Sequence, residues 1–393
     1  MIEDYNELPL IYREKYRLTV LPRWRKKLIL LKLFILEIFF LFSIFFMAIK
    51  SVLFYFFNYK KGYLFKNLRY GPKPRNICDI YIPTKSNYLN NNKKDCPVVL
   101  FVHGGSWGFG HKLQYVLLGK KLSERGIVVM VINYTLHPQG NIDDMLEDTD
   151  TALRYCYDNI ENYGGDKNKI YLMGHSAGGH IVSLYGVENY SKTIDQLSDE
   201  EKTKKRIPIQ GIFSLSSPLH INDHFLHETT RGLEHISPMR PAMKGPKNFD
   251  KYSPTRVLEK IKDKSIRDDR LPVPFPAFYI LHGEKDGTVP LSSSTKFFSV
   301  LMTKLSNPTA RTLFLKSYPN IKHIDFIFDM YNDSLVITRN IFAGLDSDSD
   351  DDQPDQITDF AEYLKTGKKS NKPIKQTKIR STILNDIVNI ITH

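Results

Sequence analysis

Gly174-His175-Ser176-Ala177-Gly178 sets one hydroxyl between glycines two places to either side. Such a serine can sit on a strand-to-helix turn too tight for larger neighbours, with its Oγ presented outward. The flanking sequence fits that context. "KIYLMG" (169–174) reads as a buried strand, and Ala177 to Tyr185 reads as a helix whose N-terminal amides would favour charge on the reacting oxygen. A hydroxyl attacks poorly until a base takes its proton. His323, in "YPNIKHIDF", is the only histidine after the last strand-like segment apart from His393, so it is the expected base in a Ser, Asp, His chain order. Asp286 follows the strand "AFYILHG" at the strand end where catalytic groups collect in open α/β sheets, and is the expected orienting acid. Glu284 and Asp325 are the alternatives.

The negative oxygen of an acyl-transfer intermediate needs N–H donors. "HGGSWGFG" (103–110) follows a long apolar run, and its paired glycines let backbone amides face a substrate without an intervening side chain. Gly104, Gly105 and the Ala177 amide are the expected oxyanion hole. The loop lacks the G-K-[ST] ending and the G-x-G-x-x-G spacing of phosphate cradles. His175 and His180 flank the serine, but the elbow should aim their rings elsewhere, into packing or hydrogen bonds. His220, His224, His227 and His235 match no metal-ligand spacing and read as surface or lid residues.

Positioning these groups requires alternating strands and helices. "ICDIYIP" (77–83), "CPVVLFVHGG" (96–105), "GIVVMVINY" (126–134), "KIYLMG" (169–174), "IQGIFSLSS" (209–217), "AFYILHG" (277–283) and "RTLFLKSYP" (311–319) read as strands. Residues 141–165 carry helical spacing and end in a glycine cap. Strands alternating with helical stretches predict an α/β fold with a mainly parallel sheet. Residues 76–340 form the expected catalytic domain, and about 218–275 a cap inserted between two sheet strands.

The chain has 393 residues and a formal charge of +12, with basic clusters near the N-terminus and at 365–380. Such clusters suit anionic surfaces, but no zinc-finger spacing, RNP motif or basic zipper supports nucleic acid. Cys78, Cys96 and Cys156 give no disulfide framework and no C-x-x-C pair. Of the sequons at Asn133, Asn189 and Asn332, the first falls in an apparent strand. After a basic segment (1–27), residues 28–57 are dominated by Leu, Ile and Phe, and the 17 residues Leu33–Ile49 hold one charge. This predicts a membrane helix or re-entrant hairpin, and the charges before it exclude an ordinary cleaved signal peptide. Lysines and arginines on both flanks leave its orientation open. Residues 341–380, acidic then basic, read as a disordered insertion, and 381–393 as a helix that docks on the domain.

With these parts in order, the sequence resembles the α/β-hydrolase superfamily, and within it the prenylcysteine α-carboxyl methylesterase family. The likeness lies in "GGSWGFGHK", "LSERGIVVMVINYTLHPQGNIDDM", "YGGDKNKIYLMGHSAGGHI", the cap residues "DHF" and "RGL", "YSP" and "LHGEKDGTVP". The family usually carries Gln at the position of His175 and Ala at that of Gly179. The resemblance implies hydrolysis of the methyl ester on a C-terminal prenylated cysteine, at an endoplasmic reticulum or Golgi membrane with the domain facing the cytosol. It implies Ser176, Asp286 and His323 as triad, with Gly104, Gly105 and Ala177 as oxyanion donors, and no metal or organic cofactor. Another carboxylesterase or an arylformamidase-like hydrolase on this scaffold, a non-catalytic binding protein and a membrane scaffold are the competing readings.

Overall fold

A computed structural model describes residues 7–22, 24–29, 31, 55–56, 63–83, 95–190, 206–261, 274–305, 312–331 and 382–392. The membrane segment expected at 28–57 falls almost wholly outside these residues, as do the charged insertion 341–380 and Asn332. Among the described residues no helix is long and apolar enough to cross a membrane.

Eight strands form one sheet: β1 (Leu64–Arg69), β2 (Ile77–Tyr81), β3 (Cys96–Val102), β4 (Val128–Ile132), β5 (Gly165–His175), β6 (Gly211–Leu215), β7 (Ala277–Gly283) and β8 (Leu313–Tyr318). Their order is β1-β2-β4-β3-β5-β6-β7-β8. The pairs β1–β2 and β2–β4 are antiparallel, and every pair from β4–β3 to β7–β8 is parallel. β1 was not read from the sequence, because Leu64–Arg69 alternates weakly and two of its six residues are charged.

The helices that matter here are α1 (Leu10–Thr19), α2 (Val116–Ser123), α3 (Ile142–Asn159), α4 (Ala177–Tyr190), α5 (Ile221–Thr230), α6 (Met239–Ala242), α7 (Pro254–Lys260), α8 (Ser292–Lys304), α9 (Asp325–Tyr331) and α10 (Thr382–Thr392). Asn141 caps α3 through a reciprocal pair, its side chain accepting from Asp143 N–H at 2.9 Å while Asp144 accepts from Asn141 N–H at 2.9 Å. Beyond α3 a short 3-10 turn ends at Gly164, in the left-handed conformation at φ 80°.

β3, β4 and residues 170–174 of β5 are apolar because helices cover both sheet faces. On β3, Val98, Leu100 and Val102 join the core on one side, while Val99 and Phe101 join the other. The second core holds Ile383, Leu384, Ile387 and Ile391 of α10. Asp386 of α10 accepts from Lys316 Nζ and Tyr318 Oη, each at 2.8 Å.

The N-terminal residues do more than carry charge. Leu8, Tyr12 and Tyr16 are buried in the first core, with Tyr16 stacked on Phe225 of α5 at 5.8 Å between ring centroids. Lys26 makes an ion pair with the fully buried Glu234. α1 and the helical residues 24–29 after it are thus packed on the cap, whose polypeptide runs through α5, α6 and α7. Long-range packing decided this, since "YREKYR" is too polar to announce itself as core.

Candidate active site

The chain builds β4 on one side of β3 and then β5 on the other, so the strand order reverses between β3 and β5. Open α/β sheets bind ligands at the carboxyl ends of strands beside such a point. The two loops leaving it are those singled out by sequence. Val102 pairs with Gly174, which sets His103-Gly104 beside His175-Ser176. Three strands further along, Gly283 pairs with Tyr318, so Asp286 and His323 leave neighbouring strand ends.

Ser176 has φ 54°, in the left-handed region that costs an L-residue energy and is kept where the surroundings enforce it. Its N–H donates to Leu215 O at 2.9 Å, and its carbonyl accepts from His180 N–H at 3.0 Å to start α4. The glycines follow from this crossing. A Cβ at Gly174 would lie 2.3 Å from the Gly178 carbonyl carbon, and one at Gly178 would lie 2.1 Å from Val102 O. Any side chain at either place would drive the helix off the sheet.

Asp286 is buried and uses both oxygens. Oδ1 accepts from the amides of Thr288 at 2.9 Å and Val289 at 2.8 Å, while Oδ2 accepts from His323 Nδ1–H at 2.7 Å. Burial by itself would raise its pKa. The His323 hydrogen bond and charge, the Val289 amide and His282 outweigh that and hold the carboxyl below its ordinary value. His282 sits 3.5 Å from Oδ2 and donates Nε2–H to Val289 O at 2.9 Å, while its Nδ1 accepts from Ser294 at 2.7 Å. Glu284 is exposed and bonded to Ser317, and Asp325 accepts from Lys322 N–H at 3.2 Å. Asp286 is the acid that His323 meets.

His323 is brought to the elbow through its neighbour. His175 donates Nε2–H to the His323 carbonyl at 3.1 Å, and the two rings lie 4.8 Å apart. Burial draws the His175 pKa down to about 3, so it is a neutral donor. His180 is also neutral, at about 4 through burial. It donates to Tyr252 O at 2.7 Å and accepts from the indole N–H of the buried Trp107 at 3.2 Å, which ties the Gly-Gly loop to α4.

The oxyanion loop corrects one expectation. The Gly104 amide donates to the Tyr115 hydroxyl at 3.1 Å, so it is not aimed at a substrate oxygen. Gly104 serves instead by its lack of a side chain, because a Cβ there would stand 3.1 Å from Ser176 Cβ. The Gly104 carbonyl accepts from His103 Nδ1–H at 2.8 Å. In a trans peptide the C=O and the next N–H point in opposite directions. Anchoring that carbonyl therefore turns the Gly105 amide the other way. Gly105 (φ 124°), Ser106 (φ 48°) and Trp107 (φ 59°) then curl the loop through left-handed conformations. His180 takes the hydrogen-bonding role expected of it, whereas Tyr115 and Trp107 were missed as supports of the site. Their partners stand 11 and 73 residues away, and no local pattern marks them.

The four cap histidines do not converge on one point, although the rings of His224 and His227 stack 6.5 Å apart. His220 caps α5 by accepting from Asp223 N–H at 3.2 Å, His227 bonds Gly287 O at 2.9 Å, and His235 is exposed. His224 is buried with its Nε2 3.5 Å from Glu228 Oε1. Among the described residues no group of three or more His, Cys, Asp or Glu side chains is placed to hold a metal ion.

The BD-FAE family model matches residues 78–301, more than half of the sequence. The chain belongs to the BD-FAE family. The match takes in the oxyanion loop, Ser176 and Asp286 and stops short of His323. This BD-FAE member is 36% identical over 248 residues to a rice (Oryza sativa subsp. japonica) protein named probable isoprenylcysteine alpha-carbonyl methylesterase ICME, covering 63% of the chain and 55% of the relative. It is 34% identical over 237 residues to the Arabidopsis thaliana isoprenylcysteine alpha-carbonyl methylesterase ICME, covering 60% and 52%. The chain thus spans about half the length of the curated relatives it matches. Esterase B of Lactobacillus rhamnosis superposes with a TM-score of 0.52 at 17% identity, over 82% of this chain and 94% of that one, which shows the α/β-hydrolase fold.

Glu228 adds a pH-dependent strain to the cap. It is 5% exposed, and burial raises its pKa from 4.5 to about 7 against the opposing pull of Ser237 and Arg231. Below pH 4.5 folded and unfolded chains are both protonated, and between 4.5 and about 7 only the unfolded chain ionises. Stability from this group therefore falls as pH rises through that window, by about 3 kcal/mol in all. The buried neutral His103, His175, His180 and His224 act with opposite sign, since their folded pKa values lie below the unfolded one. The test is therefore a difference. Glu228→Gln should match wild type near pH 5 and gain thermal stability over it steadily toward pH 8. A constant difference across that range would show that Glu228 is ionised throughout.

Proposed function

We propose that this protein is a membrane-associated serine esterase that hydrolyses the methyl ester of a C-terminal prenylated cysteine. The observation that carries the reading is the bond from His323 Nδ1–H to Asp286, with the His323 carbonyl held by His175, the residue before the strained Ser176, joined to 34–36% identity with the two plant methylesterases. In this reading Asp286 fixes the His323 tautomer that leaves Nε2 free to accept a proton. His323 Nε2 takes the Ser176 proton as Oγ attacks the ester carbonyl. Amides of Gly105 and Ala177 stabilise the oxyanion. As the intermediate collapses, the bond to the methoxy oxygen breaks and His323 returns its proton, releasing methanol. Water then attacks the acyl-enzyme, gives a proton to His323, and frees Ser176 and the carboxylate. No metal or cofactor enters.

A prenyl tail partitions into a bilayer, so an enzyme held there by residues 28–57 would meet its substrate at the surface. An endoplasmic reticulum or Golgi membrane with the domain facing the cytosol belongs to this proposal.

The test offers a prenylcysteine methyl ester and short aryl esters side by side to wild type and Ser176→Ala. The prenylated ester is expected to be turned over with the higher kcat/KM, and Ser176→Ala is expected to turn over neither. Equal or better use of the unprenylated esters would assign a general carboxylesterase instead, and activity that survives Ser176→Ala would exclude the mechanism. Protease protection in intact microsomes decides the side: a luminal domain removes cytosolic prenylated proteins as substrates.

A further inference from the structure

Helix α5 presents His224, His227, Glu228 and Arg231 at spacings of three, four and seven, hence on one face. His227 fixes where that face points. Its bond to the Gly287 carbonyl, at 2.9 Å, lays the helix against the turn that carries Asp286. Arg231 stands one turn further on, as the last residue of the helix cap. Among the described residues its guanidinium makes no hydrogen bond and has no carboxylate oxygen within 4.0 Å, yet the residue is half-buried. The charges whose field it feels are Glu228 and Asp286. A half-buried guanidinium with its N–H groups unused is costly unless something else supplies the acceptors. Lys26, Lys244 and Arg256 of the same cap region all have carboxylate partners.

We propose that Arg231 is a carboxylate-recognition residue at the edge of the active site. Its planar fork fits a carboxylate with two parallel hydrogen bonds, which neither a neutral ester nor an amide can match. The site rests on the esterase reading only in that it names one source of the ligand, the acid released by ester hydrolysis. The other source is a free carboxylate already carried by the substrate. With the first source, Arg231 makes the enzyme sensitive to its own product. With the second, it selects acidic esters over neutral ones.

The probes are hexanoate and hexanamide, tested as inhibitors of neutral aryl-ester hydrolysis by the full-length protein, with Arg231→Gln and Arg231→Lys alongside. Hexanoate should inhibit wild type competitively, and Arg231→Gln should weaken that inhibition roughly 10- to 100-fold. Hexanamide should inhibit both equally, and aryl-ester turnover should change less than about threefold, which shows that the variant is folded. Arg231→Lys keeps the charge and loses the fork, and should fall between. Comparing methyl pentanoate with monomethyl glutarate separates the sources. Preference for the acidic ester that disappears in Arg231→Gln assigns a substrate carboxylate, and no preference with retained hexanoate inhibition assigns the product. Hexanoate inhibition unchanged in Arg231→Gln, or weakened equally for hexanamide, overturns the proposal. Failure of the prenylated ester as substrate leaves these comparisons intact, because none of them uses a prenyl group.

Discussion

Asp286→Asn is expected to lower kcat for any accepted ester by about 10⁴-fold, with KM for a neutral ester little changed. The reason is the double use of this side chain. Oδ1 accepts two backbone amides, from Thr288 and Val289, and Oδ2 accepts from His323. An asparagine has one acceptor end and one donor end. Turned to satisfy the two amides, it presents its NH₂ to His323 Nδ1, which must then be the unprotonated nitrogen. The proton moves to Nε2, and His323 can no longer take one from Ser176. Turned the other way, the NH₂ faces two N–H groups and the loop "EKDGT" loses its anchor. The first orientation wins because two hydrogen bonds outweigh one, so the variant stays folded and inactive. Ser176→Ala combined with Asp286→Asn should be no slower than Ser176→Ala alone, because the two act as one unit. A loss below tenfold in kcat would mean that Asp286 does not set the tautomer.

The second large effect concerns stability. Lys112 is 1% exposed and Asp79 is fully buried, with Nζ 2.6 Å from Oδ1. Asp79 Oδ1 also accepts from Asn67 N–H at 2.8 Å, while its Oδ2 has no hydrogen bond. Lys112→Met would leave that carboxylate buried and unpaired, at a cost of about 3–5 kcal/mol. For a domain of this size the melting temperature should fall by roughly 6–20 °C. Replacing both charges, as Lys112→Met with Asp79→Leu, should recover part of the loss, since the penalty belongs to the uncompensated ion rather than to the missing attraction. Melting of Lys112→Met within a degree or two of wild type would show that this ion pair does not hold the fold. Lys112 also starts the turn after the oxyanion loop, where its N–H donates to Asn133 Oδ1 at 2.6 Å. That backbone bond survives the substitution, so the loop should keep its place and kcat should fall far less than stability.

The sequence by itself determined the layout of the chemistry. Continuous apolar runs ending in glycines or polar turns read as central parallel strands, because strands covered on both faces show no alternation. The order of these ends along the chain then made Ser176, Asp286 and His323 the candidate triad. The elbow was legible for a steric reason: a crossing that brings Gly178 against Val102 O admits only glycine there, and composition records that demand.

What the tertiary structure alone decided was direction and partnership. Whether a loop amide faces the substrate depends on the peptide plane, and Gly104 and Gly105 look alike in sequence. The fold gives the Gly104 N–H to Tyr115 and turns the Gly105 N–H away from its anchored carbonyl. The same holds for the first described residues, which read as a basic segment and also pack Tyr12 and Tyr16 into the core, with Lys26 paired to Glu234. It holds again for Arg231, whose guanidinium has no hydrogen-bond or carboxylate partner among the described residues, which no pattern of residue types can express. Periodicity and steric exclusion act locally and leave their mark on composition. Hydrogen-bond pairing across tens or hundreds of residues is settled only when the sheet brings the strand ends together.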